Sequence, residues 1–211
     1  MVKAVRDRLR RETAEVHERL HRHPGLDAAA RGSITAEDYE RLLARLFGFH
    51  RAYEAALAEA RLKANDACLS PVERSESLAL DLAALGVERA TIARLPLCPT
   101  IARPSNRAEL LGARYVVEGS ALGGQLIARE LEKSFGENRR FFLFQPGKEW
   151  RALTDLLEAL AEDPAAVESA AKAARAIFLN FETWMDGWKS SELSAITSGE
   201  AGLRPEFSAR L

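Results

Sequence analysis

The sequence predicts an all-α protein, a single irregular bundle of helices. Apolar residues recur three and four positions apart along most of the chain, which is the spacing of one helix face. No segment alternates apolar and polar residues as a half-buried strand would, and no internal repeat occurs. A length of 211 residues suits one domain with a sizeable core. We therefore expect one helical domain over residues 1–190 and a loosely ordered tail over residues 191–211.

Charge and composition exclude several classes of function. The chain has 30 Lys and Arg against 31 Asp and Glu, so neither nucleic acid nor an anionic membrane surface is an expected partner. It has no run of eighteen apolar residues and no apolar signal core behind its charged N-terminus. Cys68 and Cys98 are too few and too far apart for a disulfide framework or a zinc site. A cytoplasmic protein is the simplest expectation.

The first half of the chain predicts three helices. The first covers residues 3–22, and its apolar stripe consists of Val5, Leu9, Thr13, Val16 and Leu20. Pro24 and Gly25 are expected to end it in a turn. Thr35 is the predicted N-cap of a long helix that runs to about Ala64. A shorter helix over residues 73–86 is expected to stop at Gly86.

Three further helices are predicted in the second half. Prolines interrupt residues 96–104, after which Ser105 is expected to cap a helix that ends near Gly136. A break at residues 146–147 precedes a helix from about Trp150 to Leu160. Asp163 then caps the last helix, which begins at Pro164 and runs to about Trp188. Its predicted inner face consists of Ala170, Ala174, Ile177, Phe178, Phe181 and Trp184.

The helix after Ser105 carries three glycines in its interior, at positions 119, 123 and 124. Each costs roughly 1 kcal/mol relative to alanine, so another interaction must offset the loss. Gly119 and Gly123 are four residues apart and therefore lie on one helix face. The pattern predicts a strip of bare backbone that accepts either a flat ligand or a closely packed helix, and a point where the helix could bend.

The histidines give a second indication. His17 lies at the edge of the apolar stripe of the first helix, and Arg10 shares that edge. His17 and His21 are four residues apart and could hold one ion, although a surface pair is the commoner reason for such spacing. An iron porphyrin needs a neutral imidazole on one side, a thin wall on the other and basic residues for its propionates. His17, the glycine helix and Arg10 together match that need.

Two motifs resemble those of the heme oxygenases. Residues 13–17, Thr-Ala-Glu-Val-His, are similar to the family's proximal motif, in which a threonine precedes the iron-ligating histidine by four. Residues 119–125, Gly-Ser-Ala-Leu-Gly-Gly-Gln, resemble its distal helix motif. Residues 81–86, 95–98 and 115–120 are similar to the bacterial branch that supplies biliverdin to bacteriophytochromes. The likeness runs from about Leu9 to Trp188.

The resemblance implies a heme held between the first helix and a kinked, glycine-rich distal helix. It makes His17 the iron ligand, while Gly119 and Gly123 let the distal backbone approach the ring. Basic positions for the propionates correspond to Arg10 and Arg151. Aromatic side chains expected beside the ring are those of Tyr115, Phe178 and Trp184, although the last two could equally be plain core residues.

The implied reaction is the oxidative opening of heme to biliverdin, iron and carbon monoxide. It uses O2 and electrons from a ferredoxin or another reductase, and a bacteriophytochrome could accept the product. One departure concerns the proton supply, because Ser120 stands where the best-known members carry an aspartate that orders water. A heme-binding protein without catalysis and a cofactor-free helical interaction domain are therefore the competing hypotheses.

Overall fold

The computed structural model describes residues 4–64 and 73–189, and all regular structure in these ranges is helical. The prediction of an all-α fold is confirmed. The predicted tail, residues 191–211, lies outside the described residues. The elements in chain order are α1 (Ala4–His21), α2 (Pro24–Ala30), α3 (Ala36–Ala64), α4 (Ser75–Ala84), α5 (Arg89–Ile92), α6 (Arg107–Phe135), α7 (Arg140–Leu143), α8 (Lys148–Glu158), a 3-10 turn (Ala159–Glu162) and α9 (Pro164–Met185).

Helix α1 buries the stripe that the sequence predicts, namely Val5, Leu9, Thr13, Val16 and Leu20. Thr13 satisfies its hydroxyl by donating to the carbonyl of Leu9 at 2.8 Å, which lets a polar side chain sit in this apolar stripe. The first helix ends before Pro24, as predicted, but the predicted turn at Pro24 and Gly25 is wrong, because these residues open α2. Proline suits the first turn of a helix, where its missing N–H is not needed, and His23 caps that turn from outside.

Helices α3 and α4 begin and end close to the predicted positions. The Thr35 hydroxyl accepts a hydrogen bond from the backbone N–H of Asp38 at 3.1 Å, so the predicted N-cap of α3 is confirmed. Gly86 follows α4 with a φ of 95°, a conformation that favours glycine and stops the helix.

The start of α6 requires a correction. Asn106, not Ser105, is the N-cap, since its side-chain oxygen accepts from the N–H of Glu109 at 3.0 Å. Ser105 donates its N–H and hydroxyl to the Glu109 carboxylate, which is the reciprocal half of the capping arrangement. From Arg107 to Phe135 the helix is continuous, so its glycines do not interrupt it. Gly136 ends it with a φ of 51°.

Helices α8 and α9 lie against the same two helices, α1 and α6. Asp163 caps α9 as predicted, accepting from the N–H groups of Ala165 and Ala166 at 3.0 and 3.1 Å. Helix α9 packs against both α6 and α1, and α8 also contacts both. The first helix and the glycine-bearing helix are therefore held by the same two elements. No helix in the described ranges is long and apolar enough to cross a membrane.

Candidate functional site

His17 is exposed on α1, but its imidazole packs edge-on against two rings. The ring of Phe178 in α9 is 5.9 Å away and that of His21 is 4.4 Å away, measured between centroids. This partial burial lowers the pKa of His17, and His21 lowers it further while Glu18 opposes the change. Neither ring nitrogen has a hydrogen-bond partner in the described part of the chain. The imidazole is therefore neutral at pH 7 with a nitrogen free to bind a metal.

Arg10 and Arg151 are exposed at the surface of α1 and α8. Neither guanidinium has an ion-pair partner within residues 4–64 and 73–189. By contrast, Arg6 pairs with Glu158 at 2.8 Å and Arg8 pairs with Glu168 at 2.8 Å. Arg10 and Arg151 are thus available for an external carboxylate.

Gly123 faces open space among residues 4–64 and 73–189, because a Cβ built there would meet none of their atoms within 4 Å. Leu122 and Leu126 on the same helix are 51% and 64% exposed, which leaves much of two apolar side chains in contact with solvent. Gly119, one turn earlier, faces the indole of Trp150, whose nearest carbon would lie 3.1 Å from an added Cβ. This part of α6 is a bare, apolar surface bordered by α8.

The close-packing role that we considered for these glycines belongs to another one. A Cβ on Gly112 would overlap the backbone carbonyl of Ala170, so this glycine is what lets α9 cross α6 closely. Gly112 was missed in the sequence, although it lies seven residues before Gly119 and thus on the same face. The alanine-rich stretch around Ala170 was the available signal. Gly112 thereby allows tight packing, while Gly123 stays open.

Tyr115 and Trp150 form a stacked pair next to Gly119. Their rings are 5.6 Å apart with an interplanar angle of 21°. The sequence predicts Trp150 only as the approximate start of a helix. Its position beside Gly119 depends on how α8 packs against α6. The pair forms an aromatic wall at the end of the glycine surface.

Ser120 is exposed at the edge of the same surface. Its hydroxyl donates to the carbonyl of Val117 at 2.7 Å, and the guanidinium of Arg74 lies 3.5 Å from its oxygen.

On the same helix, Arg114 and Glu118 form a buried ion pair at 2.6 Å, with side chains only 3% and 6% exposed. Burial raises the pKa of Glu118, and the hydrogen bond from Arg114 opposes that rise. Sequence reasoning missed this buried polar cluster, because periodicity does not show which charged residues turn inward.

The structure brings some of the predicted site residues together in two groups. His17 contacts Phe178, and Tyr115 reaches Gly119 through Trp150. Trp184 has a different role, since its indole N–H donates to the carbonyl of Arg45 at 2.7 Å and ties α9 to α3. Within the described ranges, no three His, Cys, Asp or Glu side chains converge as metal ligands. His17 and His21 remain as a pair of neighbouring imidazoles on α1.

Comparison with known proteins agrees with this arrangement. The sequence matches the model of the family described as Heme oxygenase over residues 3–187. It is 29% identical over 164 residues to a protein named "Heme oxygenase" from Xanthomonas campestris pv. campestris (strain 8004), which covers 75% of this chain and 94% of that relative. The matched region includes α1, α6, α8 and α9 and therefore every element of the candidate site. The chain belongs to the heme oxygenase family.

Proposed function

We propose that this protein binds heme between α1 and α6 and opens it to biliverdin, iron and carbon monoxide. The observation that carries the proposal is the open surface at Gly123, where two exposed leucines lie beside bare backbone. An apolar surface of this kind favours a flat apolar ligand, whose burial is worth about 25 cal/mol per Å². The neutral imidazole of His17 would hold the iron of the heme.

The residues present fit a heme. An added side chain at Gly123 would enter the open space, while in its absence the ring can approach the helix backbone. Phe178 packs edge-on against His17 and restricts the rotation of the imidazole. Arg10 and Arg151, which have no ion-pair partner in the part of the chain that the structure describes, would hold the two propionates by charge-assisted hydrogen bonds. Residues of this protein thus suit the ring, the iron and the propionates of a heme.

When bound, heme supplies the oxygen-activating iron and is itself the carbon skeleton that is oxidised. The protein's contribution is to orient the ring and exclude water. The open backbone at Gly123 would admit the ring, while the Tyr115–Trp150 wall beside Gly119 would limit the space at one end. This steric asymmetry would steer attack toward one edge of the porphyrin.

The proposal implies several partners. Electrons come from a ferredoxin or another reductase and O2 is the co-substrate, while a bacteriophytochrome is a candidate acceptor of biliverdin. A cytoplasmic compartment suits these partners, and the buried Cys98 thiol is free in the structure.

Ser120 favours a second candidate function, that of a heme-binding protein that stores, senses or transfers heme. A serine hydroxyl cannot carry the negative charge that the family's aspartate supplies at this place. In that case heme would bind through His17 and survive repeated reduction in air. The two candidate functions therefore use the same heme-binding site and differ in whether the bound heme is degraded.

A hemin titration of the purified protein, followed by electrons under air, tests the proposal. We expect a ligated heme band that gives way to a bilin spectrum. His17→Ala should weaken heme binding by at least about tenfold, which corresponds to about 1.4 kcal/mol. His21→Ala is the matched control, since it removes the neighbouring exposed imidazole and should keep the band.

The outcomes separate the hypotheses. Heme that binds but persists through reduction would favour storage, sensing or transfer. Absence of any ligated band, or an equal loss in both histidine variants, would contradict the proposed axial ligand.

A further inference from the structure

Arg74 occupies an unusual place for an arginine. It lies just before α4, is only 2% exposed, and stacks its guanidinium 3.9 Å above the ring of Phe141. One terminal nitrogen donates to the carbonyl of Phe141 at 3.0 Å, and the other points at the oxygen of Ser120 at 3.5 Å. Its backbone N–H donates to Glu54 at 2.7 Å. The guanidinium is thus held from two sides and aimed at the edge of the glycine surface.

The charges around Arg74 keep it ionised. Burial lowers its pKa to about 10, while the carboxylates of Glu54 in α3 and Glu118 in α6 raise it. His50 of α3 also faces it, and both burial and the charge of Arg74 hold the pKa of that imidazole well below its usual range. Arg74 is therefore a positive charge at neutral pH, enclosed by two carboxylates and a neutral histidine.

The hydrogen bonds of Ser120 leave one lone pair of its hydroxyl oxygen unused. A hydroxyl has one proton to donate and two lone pairs that accept. The proton is given to the carbonyl of Val117 at 2.7 Å, and Arg74 approaches one lone pair. What remains toward solvent is a lone pair. On α6, Ser120 is about 60° around the helix axis from Gly123, at the border of the open surface.

We propose that Arg74 is a positioning residue that, together with the carbonyl of Val117, locks the Ser120 hydroxyl as a hydrogen-bond acceptor for a water molecule at the Gly123 surface. This inference rests on the proposed heme oxygenase function. An ionised carboxylate can only accept hydrogen bonds, so a locked serine presents the same polarity to water without the charge. Ser120 orders the water, and Arg74 acts only through Ser120.

The buried polar atoms nearby support such a water site. The Nε of Arg74 and the hydroxyl of Tyr53 are both buried, and neither has a hydrogen-bond partner in the described residues. The Tyr53 hydroxyl is close enough to Glu118 and Glu54 that their charges, after burial, raise its pKa. Buried polar groups without protein partners are commonly satisfied by ordered water. Arg74, which contacts Ser120, thus has one buried N–H group that water could satisfy.

A double-mutant cycle on the heme complex tests the proposal. The variants are Ser120→Ala, Arg74→Lys and their combination, and the readout is the pH midpoint of the visible-spectrum transition of the ferric complex. This midpoint reports deprotonation of water in the site. Loss of the acceptor destabilises the protonated water, so Ser120→Ala should lower the midpoint by about half a pH unit or more.

Arg74→Lys should also lower the midpoint, because a released hydroxyl can rotate and donate to the deprotonated water. The double variant should match Ser120→Ala alone, since lysine keeps the charge and differs only in how it holds Ser120. Ser120→Thr keeps a hydroxyl and should restore the wild-type midpoint. Arg139→Lys is the matched control: Arg139 is 6% exposed and donates to the carbonyl of Ala128 at 2.8 Å. It should lose stability and leave the midpoint unchanged.

Several results would overturn the inference. Additive shifts in the double variant would mean that Arg74 acts independently of Ser120, and an unchanged midpoint in Ser120→Ala would remove the water contact. If Arg74→Lys does not fold, Arg74 is assigned to folding alone, and Ser120→Ala beside Ser120→Thr still tests the water contact. A wild-type protein without a ligated heme band would instead refute the proposed function, and the inference with it.

Discussion

Single glycines in α6 have opposite roles, although the sequence makes them look alike. Gly112 has the backbone of Ala170 where a Cβ would be, whereas a Cβ on Gly123 would meet no described residue within 4 Å. The helix loses conformational entropy at both positions. At Gly112 that loss is offset by close packing of α9, while at Gly123 the folded protein without ligand gains nothing in return. A residue that destabilises the fold and touches no protein atom is expected at a binding surface.

Alanine at these two positions should therefore change stability in opposite directions. Gly123→Ala should raise the free energy of unfolding by about 0.5–1 kcal/mol, since alanine favours a helix and meets no neighbour. Gly112→Ala should lower it by about 1–3 kcal/mol, because the methyl group forces α9 away. Urea denaturation of the two variants beside wild type measures both. Equal effects of the same sign would contradict the assignment of roles.

A larger side chain at Gly123 separates folding from binding. Gly123→Leu should leave the thermal midpoint within a few degrees of wild type, because its side chain enters open space. It should weaken heme binding by at least about tenfold, or about 1.4 kcal/mol, since leucine occupies the place of the ring. Hemin titration beside thermal melts provides the comparison, with Gly123→Ala as the control. A parallel loss of folding and binding would indicate that Gly123 is a packing residue.

At the scale of elements, local capping signals account for where several helices begin. Thr35 and Asp163 were identified as caps from the sequence, and both accept the expected backbone N–H bonds. His23 was not, because its cap depends on tertiary structure. Its Nδ1 accepts from the N–H of Leu26 at 3.3 Å, so Nε2 carries the proton and donates to the carbonyl of Met185 at 3.1 Å. One imidazole thus caps α2 and ties it to the end of α9.

Removing the His23 imidazole should destabilise both the N-terminus of α2 and its contact with the end of α9. His23→Ala should lower the free energy of unfolding by about 1 kcal/mol or more, as the loss of an N-cap does, with a further loss from the bond to Met185. His23→Asn keeps a capping oxygen but is too short to reach α9, so it should recover part of the stability. Chemical denaturation of the three proteins gives the ranking. An alanine variant as stable as the asparagine variant would exclude a capping role.

For the whole molecule, the buried polar residues make stability depend on pH. His50 is 4% exposed within the core, and burial together with Arg74 holds its pKa well below the ordinary value of 6.5. The unfolded chain binds a proton at this residue below about pH 6.5 while the folded chain does not. The contribution of His50 to stability is therefore complete above that pH and declines as the pH falls toward the lowered pKa.

Replacement of His50 should reduce this dependence. Between pH 7.5 and 5.5 the wild type should lose about 1.4 kcal/mol more unfolding free energy than His50→Leu, which cannot bind the proton. Urea denaturation at the two pH values measures the difference. Identical pH dependence in wild type and His50→Leu would mean that His50 is accessible to protons in the folded state.

The sequence alone determined the longer helices and the family resemblance of this protein, but not the short helices α2, α5 and α7. Apolar spacing and capping residues act through local physics, so they identified the stripe of α1, the length of α3 and the caps Thr35 and Asp163. Pro24 and Ser105 were misread, because proline can open a helix as well as end a segment and because two neighbouring residues can both cap.

Only the tertiary structure decided which residues meet around the glycine surface. Gly112 and Gly123 are chemically identical, and their roles differ because α9 crosses α6 at one of them and not at the other. Trp150 reaches Gly119 through the docking of α8, and Arg74 reaches Ser120 across 46 positions of sequence. Such contacts depend on how whole helices pack, and helix periodicity contains no information about which distant residue fills a given space.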